Sequence, residues 1–370
     1  MKKYLIFAGI LFGLQFATAQ EYEFSPVIDL EATPVISQGR TGTCWSFSTS
    51  SFLESEIMRE TGKTIDLSEM YNVRYTYPEK ANNYVMRQGN ARFSEGGLAH
   101  DVINSIAAHG IVPNSVYSGM DENQKRHNHA EMVAVLSAML DTYVENPAGE
   151  LSADWDNAVN AVLDVYLGEP VEKFTYEGKT YTPQSFLEMT EIDPADYVTL
   201  TSFKNHPFYS EFILSIPDNF SNGSYYNVPL DELIKTIDHA LKNGYTIALD
   251  IDVSEPTFSA KQGVAVIPAN SSENETAMTK IVDEKEITPE FRLEEFRNFN
   301  TTDDHLMHIT GTVKDQDGNV YYKVKNSWGT KGLAHDGFVY MSVPYVKLKT
   351  ISILLHKDGV PKKVKRELEI

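Results

Sequence analysis

Cysteine is nearly absent: Cys44 is the single one in 370 residues. The chain therefore forms no internal disulfide and no cysteine cage for a metal, and its stability has to come from buried apolar surface. Long apolar runs are missing as well. Beyond the N-terminal leader none approaches the ~20 residues that a membrane-spanning helix needs. Basic side chains are scarce, with 32 Lys and Arg against 52 Asp and Glu and a formal net charge of −20. A surface of that sign repels phosphate backbones and anionic lipid, which argues against nucleic acid as a partner and for solubility. Core-forming material is plentiful: 42% of residues are hydrophobic and 11% aromatic, ample for one large domain or two intimate ones.

The leader itself reads Lys2-Lys3, an apolar run over residues 4–16, then Ala17-Thr18-Ala19. A charged start, an apolar middle and a small-residue cleavage site predict a secretory signal peptide at residues 1–19, with no cysteine following to take a lipid. The pattern predicts export to a periplasm or beyond, no stable membrane insertion of the mature chain, and one folded unit over residues 20–370.

The lone cysteine follows Gln38-Gly39-Arg40-Thr41-Gly42-Thr43, whose glycines and threonines read as a tight loop. A helix is predicted from Cys44, because no glycine or proline interrupts the chain until Gly62 and Leu53 and Ile57 fall on one face. A thiol at a helix N-terminus meets the positive end of the dipole, which lowers its pKa and favours the thiolate. A lone cysteine is by itself more often a small buried hydrophobe than a nucleophile, so other residues have to decide. A cysteine nucleophile needs a base, a group that orients the base, and donors for the oxyanion. Downstream the chain supplies Asp304-His305-Leu306-Met307-His308-Ile309-Thr310-Gly311 and Lys325-Asn326-Ser327-Trp328-Gly329.

Gln38, Cys44-Trp45, His305 and Asn326-Ser327-Trp328-Gly329, in that order, resemble the signatures of the papain-like cysteine peptidases, and within them the bleomycin hydrolase and aminopeptidase C branch. The resemblance implies Cys44 as nucleophile, His305 as base and acid, Asn326 as the group orienting the imidazole, and the Gln38 side chain with the Cys44 N–H as oxyanion donors. It gives Trp328 the task of covering the His–Asn contact, with Trp45 supporting the site. His305 rather than His308 fits the branch's pattern of a methionine two residues later, and in a strand the two rings point to opposite faces. Ser94-Glu95-Gly96-Gly97 is similar to the family's substrate-binding turn, Gly97 matching the residue whose backbone bonds an extended substrate, with Gly96 beside it. An ordinary turn before a helix over residues 98–109 fits that spacing equally well. Leu67-Ser68-Glu69 is similar to the start of the family's next helix, with Ser68 as N-cap.

Residues 114–228 read as a long, mostly helical insert, with an apolar stripe at Met132, Val135, Leu136, Met139 and Leu140 and a further helix over residues 155–167. His127 and His129 lack companions at metal-ligand spacing. A buried strand is expected over residues 245–253, with Asp250 and Asp252 on one face; paired carboxylates suit acid–base chemistry, a strand end also accounts for them, and the cysteine mechanism needs neither. Residues 268–302 are polar and acidic and read as an irregular flap. Strands are expected at residues 309–314, 320–325, 337–341 and 351–355, the first two joined by a turn at 315–319.

The expected fold is α+β and papain-like, with a helical left half carrying the cysteine helix, a β-barrel-like right half carrying His305 and Asn326, and the large insert. The expected reaction is hydrolysis of peptide substrates through an acyl-thioester on Cys44, without metal or organic cofactor. The resemblance implies aminopeptidase action, a cleft blocked on one side by the chain's own C-terminus, and assembly as a hexamer. Only residues 21–37 precede the loop after cleavage, too few for an inhibitory prodomain. The tail from His356 to Ile370 differs from the branch's familiar endings, which keeps an open-cleft endopeptidase and a catalytically silent relative as alternatives.

Overall fold

A helix with no exposed face over most of its length stands at the centre of the molecule. The computed structural model describes residues 21–121 and 123–370, so the predicted signal peptide lies outside the described residues. Helix α1 runs Cys44–Thr61 and is buried continuously from Cys44 to Ile57. Gly62 ends it in the left-handed conformation, its N–H reaching Met58 O at 2.9 Å, a geometry that glycine adopts without cost. The serines of α1 explain how a polar sequence tolerates this burial. Ser46 Oγ donates to Glu69 O at 2.7 Å, Ser48 Oγ to Met307 O at 2.5 Å and Ser55 Oγ to Glu31 O at 2.8 Å. Each hydroxyl is satisfied by a different neighbouring segment, so the helix is bonded into both halves of the protein.

On one side of α1 lie α2 (Glu69–Met86), α3 (Ala99–His109), α4 (Ala130–Glu145), α5 (Trp155–Leu167) and α6 (Pro183–Met189). Ser68 caps α2 as expected, its Oγ accepting the Tyr71 N–H at 3.0 Å. Tyr71, Val102, Leu136, Leu163 and Phe186 are buried together in the core these helices enclose.

The other side is a sheet. The strands are β1 (Ser25–Asp29), the isolated hairpin β2 (Phe174–Tyr176) and β3 (Lys179–Tyr181), β4 (Tyr197–Thr201), β5 (Ser210–Ile213), β6 (Ser224–Asn227), β7 (Ile247–Ile251), β8 (Phe258–Ser259), β9 (Val264–Ala265), β10 (His305–Lys314), β11 (Val320–Lys325), β12 (Phe338–Ser342) and β13 (Thr350–His356). The main sheet runs β5-β6-β4-β13-β7-β10-β11-β12-β9-β8, with β1 added on β10. Around it pack α7 (Leu230–Lys242), α8 (Asn274–Ala277), α9 (Pro289–Arg297), α10 (Val343–Lys349) and α11 (Lys362–Leu368). Leu233 and Ile237 of α7, Leu249, Met307 and Ile353 share its core.

Three details differ from the sequence reading. The β-rich half is an open path of strands, not a closed barrel. The insert stops being helical after α6: β4, β5 and β6 leave it to join the main sheet, β4 pairing antiparallel with β13. The β-branched and aromatic run Tyr197-Val198-Thr199-Leu200-Thr201 carried that signal. Residues 268–302 are not irregular throughout, because Thr288 Oγ1 caps α9 and Arg292 of that helix is buried. Its guanidinium donates to the carbonyls of Ser202 at 2.9 Å, Lys347 at 3.0 Å and Leu348 at 3.1 Å, so α9 is fastened to α10 and to the chain leaving β4 rather than hinged over the cleft.

Gly311 in β10 lets β1 approach: a Cβ there would lie 2.0 Å from Ile28 O. Gly311→Ala should therefore cost about 1–3 kcal/mol by overpacking, read as a lower midpoint in thermal unfolding; an unchanged midpoint would mean that β1 is free to shift.

Candidate active site

Loop, helix and hairpin converge on one cleft of about 720 Å³ lined by Gln38, Cys44, Gly96, Gly97, His305 and Trp328. Cys44 is the first residue of α1. The Thr43 side chain makes no cap bond to the helix, which leaves the first N–H groups without that partner. The loop before it is held from two directions. Gln38 N–H donates to Ser327 O at 2.8 Å, Ser327 Oγ donates to Gln38 Oε1, and Gly329 N–H donates to Ile36 O at 3.1 Å. From the insert, His127 O accepts the Arg40 N–H at 2.9 Å, and a Cβ on Gly39 would sit 2.5 Å from that same oxygen. Gln38 Nε2 spends one hydrogen on Thr41 O at 2.7 Å and keeps a second to offer.

His305 opens β10, and Asn326 follows the last residue of β11. His305 Nε2 lies 2.8 Å from Asn326 Oδ1, which also accepts the Ser327 N–H at 2.8 Å. An acceptor there requires the proton on Nε2, so Nδ1 is left unprotonated in the neutral ring. Trp328 covers this pair, its ring 4.8 Å from the imidazole while 42% exposed on its other face. His308 points away, as strand alternation requires: Nδ1 is 3.0 Å from Ser51 Oγ on the back of α1.

Burial works against charge at both Cys44 and His305. It pushes the Cys44 thiol up to about 12, opposed by a backbone hydrogen bond from Leu306 and reinforced by the carboxylates of Asp303, Asp218 and Asp250. It pushes the His305 imidazole down to about 4, against the Asn326 bond. The helix-dipole expectation of a lowered thiol pKa is thus reversed, because desolvation and neighbouring carboxylates outweigh a partial charge.

Gly97 lies on the Trp45 indole, since a Cβ there would be 3.0 Å from the ring, and Trp45 Nε1 donates to Glu95 O at 2.9 Å. The buried indole thus fixes the turn at residues 95–97 beside Cys44. The cleft also contains Arg92, Asp218, Asp303 and Asp304, none singled out from sequence as belonging to the site. Asp303 and Asp304 precede His305 directly, a signal of position only; Asp218 sits in a turn with no motif around it.

Behind α1 is a second chamber, of about 310 Å³, lined by Glu54, Asp66, Glu69, His308, Lys325 and the far side of Asn326 among others. Glu54, Asp66 and Glu69 bring carboxylate oxygens within 4.8 Å of one another, the one grouping among the described residues with the spacing to share a cation. Lys325 already stands among them, donating to Thr33 Oγ1 at 2.9 Å and Ser51 Oγ at 2.7 Å. Glu54 accepts from the Leu67 N–H at 2.9 Å and from Thr33 Oγ1. Burial raises its carboxyl to about 7, against Thr33 and Lys325. A carboxyl raised above its unfolded value contributes stability that is complete below the unfolded pKa and lost as pH rises through the folded one. Glu54→Gln should therefore gain several degrees of melting temperature relative to the parent between pH 5 and pH 8; a constant difference across that range would show that Glu54 titrates normally.

The Peptidase C1-like family model matches residues 89–370, a span that includes His305 and Asn326. The chain is 24% identical over 374 residues to aminopeptidase G of Lactobacillus delbrueckii subsp. lactis, covering 90% of this chain and 83% of that one. It is 23% identical over 389 residues to cysteine proteinase 1, mitochondrial, of Saccharomyces cerevisiae, with 92% and 78% covered. The crystal structure of PepW from Lactobacillus rhamnosis superimposes with a TM-score of 0.73 over 93% of this chain and 84% of that one, at 19% identity, so the papain-like fold is shared. With its fold, its converging loop, helix and hairpin, and a match across most of its length, the chain belongs to the Peptidase C1-like family.

Proposed function

We propose that the chain is a thiol-dependent aminopeptidase that cuts peptide bonds through an acyl-enzyme on Cys44. The observation that carries this is the convergence of Cys44, the His305–Asn326 pair and Gln38 on one cleft; the similarity to aminopeptidases G, W and E of lactobacilli supports removal of N-terminal residues.

The steps follow from the atoms present. With Nε2 engaged by Asn326, His305 Nδ1 takes the thiol proton as Cys44 Sγ attacks the carbonyl carbon of the peptide bond. The oxygen that gains charge is stabilised by the Cys44 N–H and the free Gln38 Nε2 hydrogen. His305 returns its proton to the departing amine, the C–N bond breaks, and a thioester remains. Water then adds to that thioester, giving its proton to Nδ1, and the carbonyl re-forms as Sγ leaves with that proton. Asn326 holds the ring in the tautomer this exchange needs, and Trp328 keeps water from competing for Nε2.

Burial disfavours separated thiolate and imidazolium charges, so the proton leaves the thiol as the attack on the carbonyl proceeds. The signal-peptide pattern of residues 1–19 supports an activity outside the cytoplasm, and hexameric assembly is the arrangement that the family resemblance suggests. Mass spectrometry of the exported protein should give a first residue of Gln20, and light scattering the assembly size. Among the described residues no helix is long and apolar enough to cross a membrane.

Cys44→Ala should abolish turnover, and Asn326→Ala should lower kcat by roughly 10- to 1,000-fold with a smaller change in KM. The deciding measurement offers one fluorogenic peptide with a free and with an acetylated N-terminus, beside enzyme alkylated at Cys44. Cleavage of the free peptide alone, lost on alkylation, is expected. Equal cleavage of both would make the protein an endopeptidase, and cleavage of neither a silent relative.

A further inference from the structure

The wall of the cleft beyond Gly97 carries more negative charge than the chemistry uses. Among the cleft-lining residues Glu95, Asp218, Asp303 and Asp304 face a single cation, Arg92. Glu95 Oε2 is engaged by the Gly42 N–H, and Asp304 Oδ1 accepts from the Val253 N–H at 2.9 Å. Asp218 is engaged only loosely: Ser94 Oγ reaches Oδ1 at 3.3 Å, and the guanidinium of Arg92, itself 59% exposed, stands 3.9 Å away. Asp303 Oδ2 is shut off from solvent, and the Asp303 carboxyl is hydrogen-bonded to the neighbouring carboxyl of Asp250.

Asp218 is also placed as a stop. A Cβ on Gly96 would be 1.9 Å from Asp218 Oδ2, so this carboxylate lies directly on the backbone strip that runs past Trp45 toward Cys44. Beneath the strip the buried Lys80 donates to Gly96 O, which fixes the carbonyl from the opposite side. The residues after β13 lie elsewhere. Val364 and Leu368 of α11 are buried in the core under the sheet, Lys363 pairs with Glu232 of α7 at 2.6 Å, and Ile370 lines a different cavity with His100 and Leu354. No residue from 357 to 370 lines the Cys44 cleft.

We infer that Asp218, delivered by the insert and backed by Asp303, is the subsite that binds the α-ammonium of the substrate and closes the cleft beyond Gly97. The inference rests on the aminopeptidase reading above. A carboxylate with weak protein partners, set over Gly96 and beside the buried Asp303–Asp250 pair, matches a ligand that brings a positive charge and several N–H donors. Burial is the main cause that raises the Cys44 thiol, and the carboxylates of Asp303 and Asp218 add to it. An arriving ammonium neutralises them and favours the thiolate, so the feature that marks a correct substrate also readies the nucleophile. Peptides without a free amine meet both a steric stop and an uncompensated negative wall.

The test compares the parent enzyme with Asp218→Asn and Asp218→Ser on an aminoacyl fluorogenic substrate and on its N-acetyl counterpart, with thermal unfolding of each variant as a check on folding. The ratio of kcat/KM for free over acetylated substrate should fall roughly 10- to 100-fold in both variants, largely through KM for the free amine, and Asp218→Glu should recover part of it. Iodoacetamide should alkylate Cys44 several-fold faster in Asp218→Asn at pH 7, because a repelling charge has gone. Parallel losses on both substrates, or an unchanged ratio, would overturn the assignment to Asp218 while leaving the aminopeptidase reading intact. A parent enzyme that cuts both substrates equally would overturn the two together. A ratio that collapses instead when residues 360–370 are removed, with Asp218→Asn unchanged, would move the subsite to the chain's tail.

Discussion

Everything in this protein leans on the burial of α1. A helix that is enclosed on all sides can satisfy its polar side chains only by reaching across to whatever encloses it, and Ser46, Ser48 and Ser55 of α1 do this. Ser48 bonds to the backbone of β10 at Met307, two residues from His305, while Ser46 bonds to the start of α2. Cys44 at the tip of α1 and His305 at the start of β10 are thereby positioned by hydrogen bonds within two residues or about one turn of the thiol and the imidazole. Rigid elements that share such short bonds hold a site more closely than loops do.

The insert enters this scheme as a structural partner of the site. Its backbone at His127 pins the loop before Cys44, and its turn at Asp218 forms a wall of the cleft. Its strands β4 to β6 extend the same sheet that supports His305. The helical and β-rich halves are therefore joined twice, once by α1 between them and once by the insert around their edge. The chamber behind α1 shows the cost of such a seam: buried carboxyls held toward their neutral form, and a lysine whose ammonium is disfavoured by the same burial.

Much of this was legible in the sequence because it is written in local chemistry. The start of α1 at Cys44, its end at Gly62 and the cap at Ser68 depend on neighbours within a few residues, and so does the split between His305 and His308 on one strand. The papain-like fold and the large insert followed from the family resemblance. What stayed hidden depends on tertiary partners. Residues 197–227 join the sheet because β13 offers an edge; residues 289–297 form a fastened helix because three distant carbonyls receive Arg292. The thiol's environment was misread for the same reason, since a helix dipole is visible in a sequence and the carboxylates arriving from residues 218 and 303 are not.

The single thiol has a practical meaning that goes beyond catalysis. A chain with one cysteine folds without any choice among disulfide partners, and it offers one thiol, at the head of α1, to thiol-selective electrophiles. Covalent thiol reagents therefore report on one place only. Stoichiometric labelling counts competent molecules directly, and a reporter group attached there senses occupancy of the cleft without a background signal from elsewhere in the polypeptide.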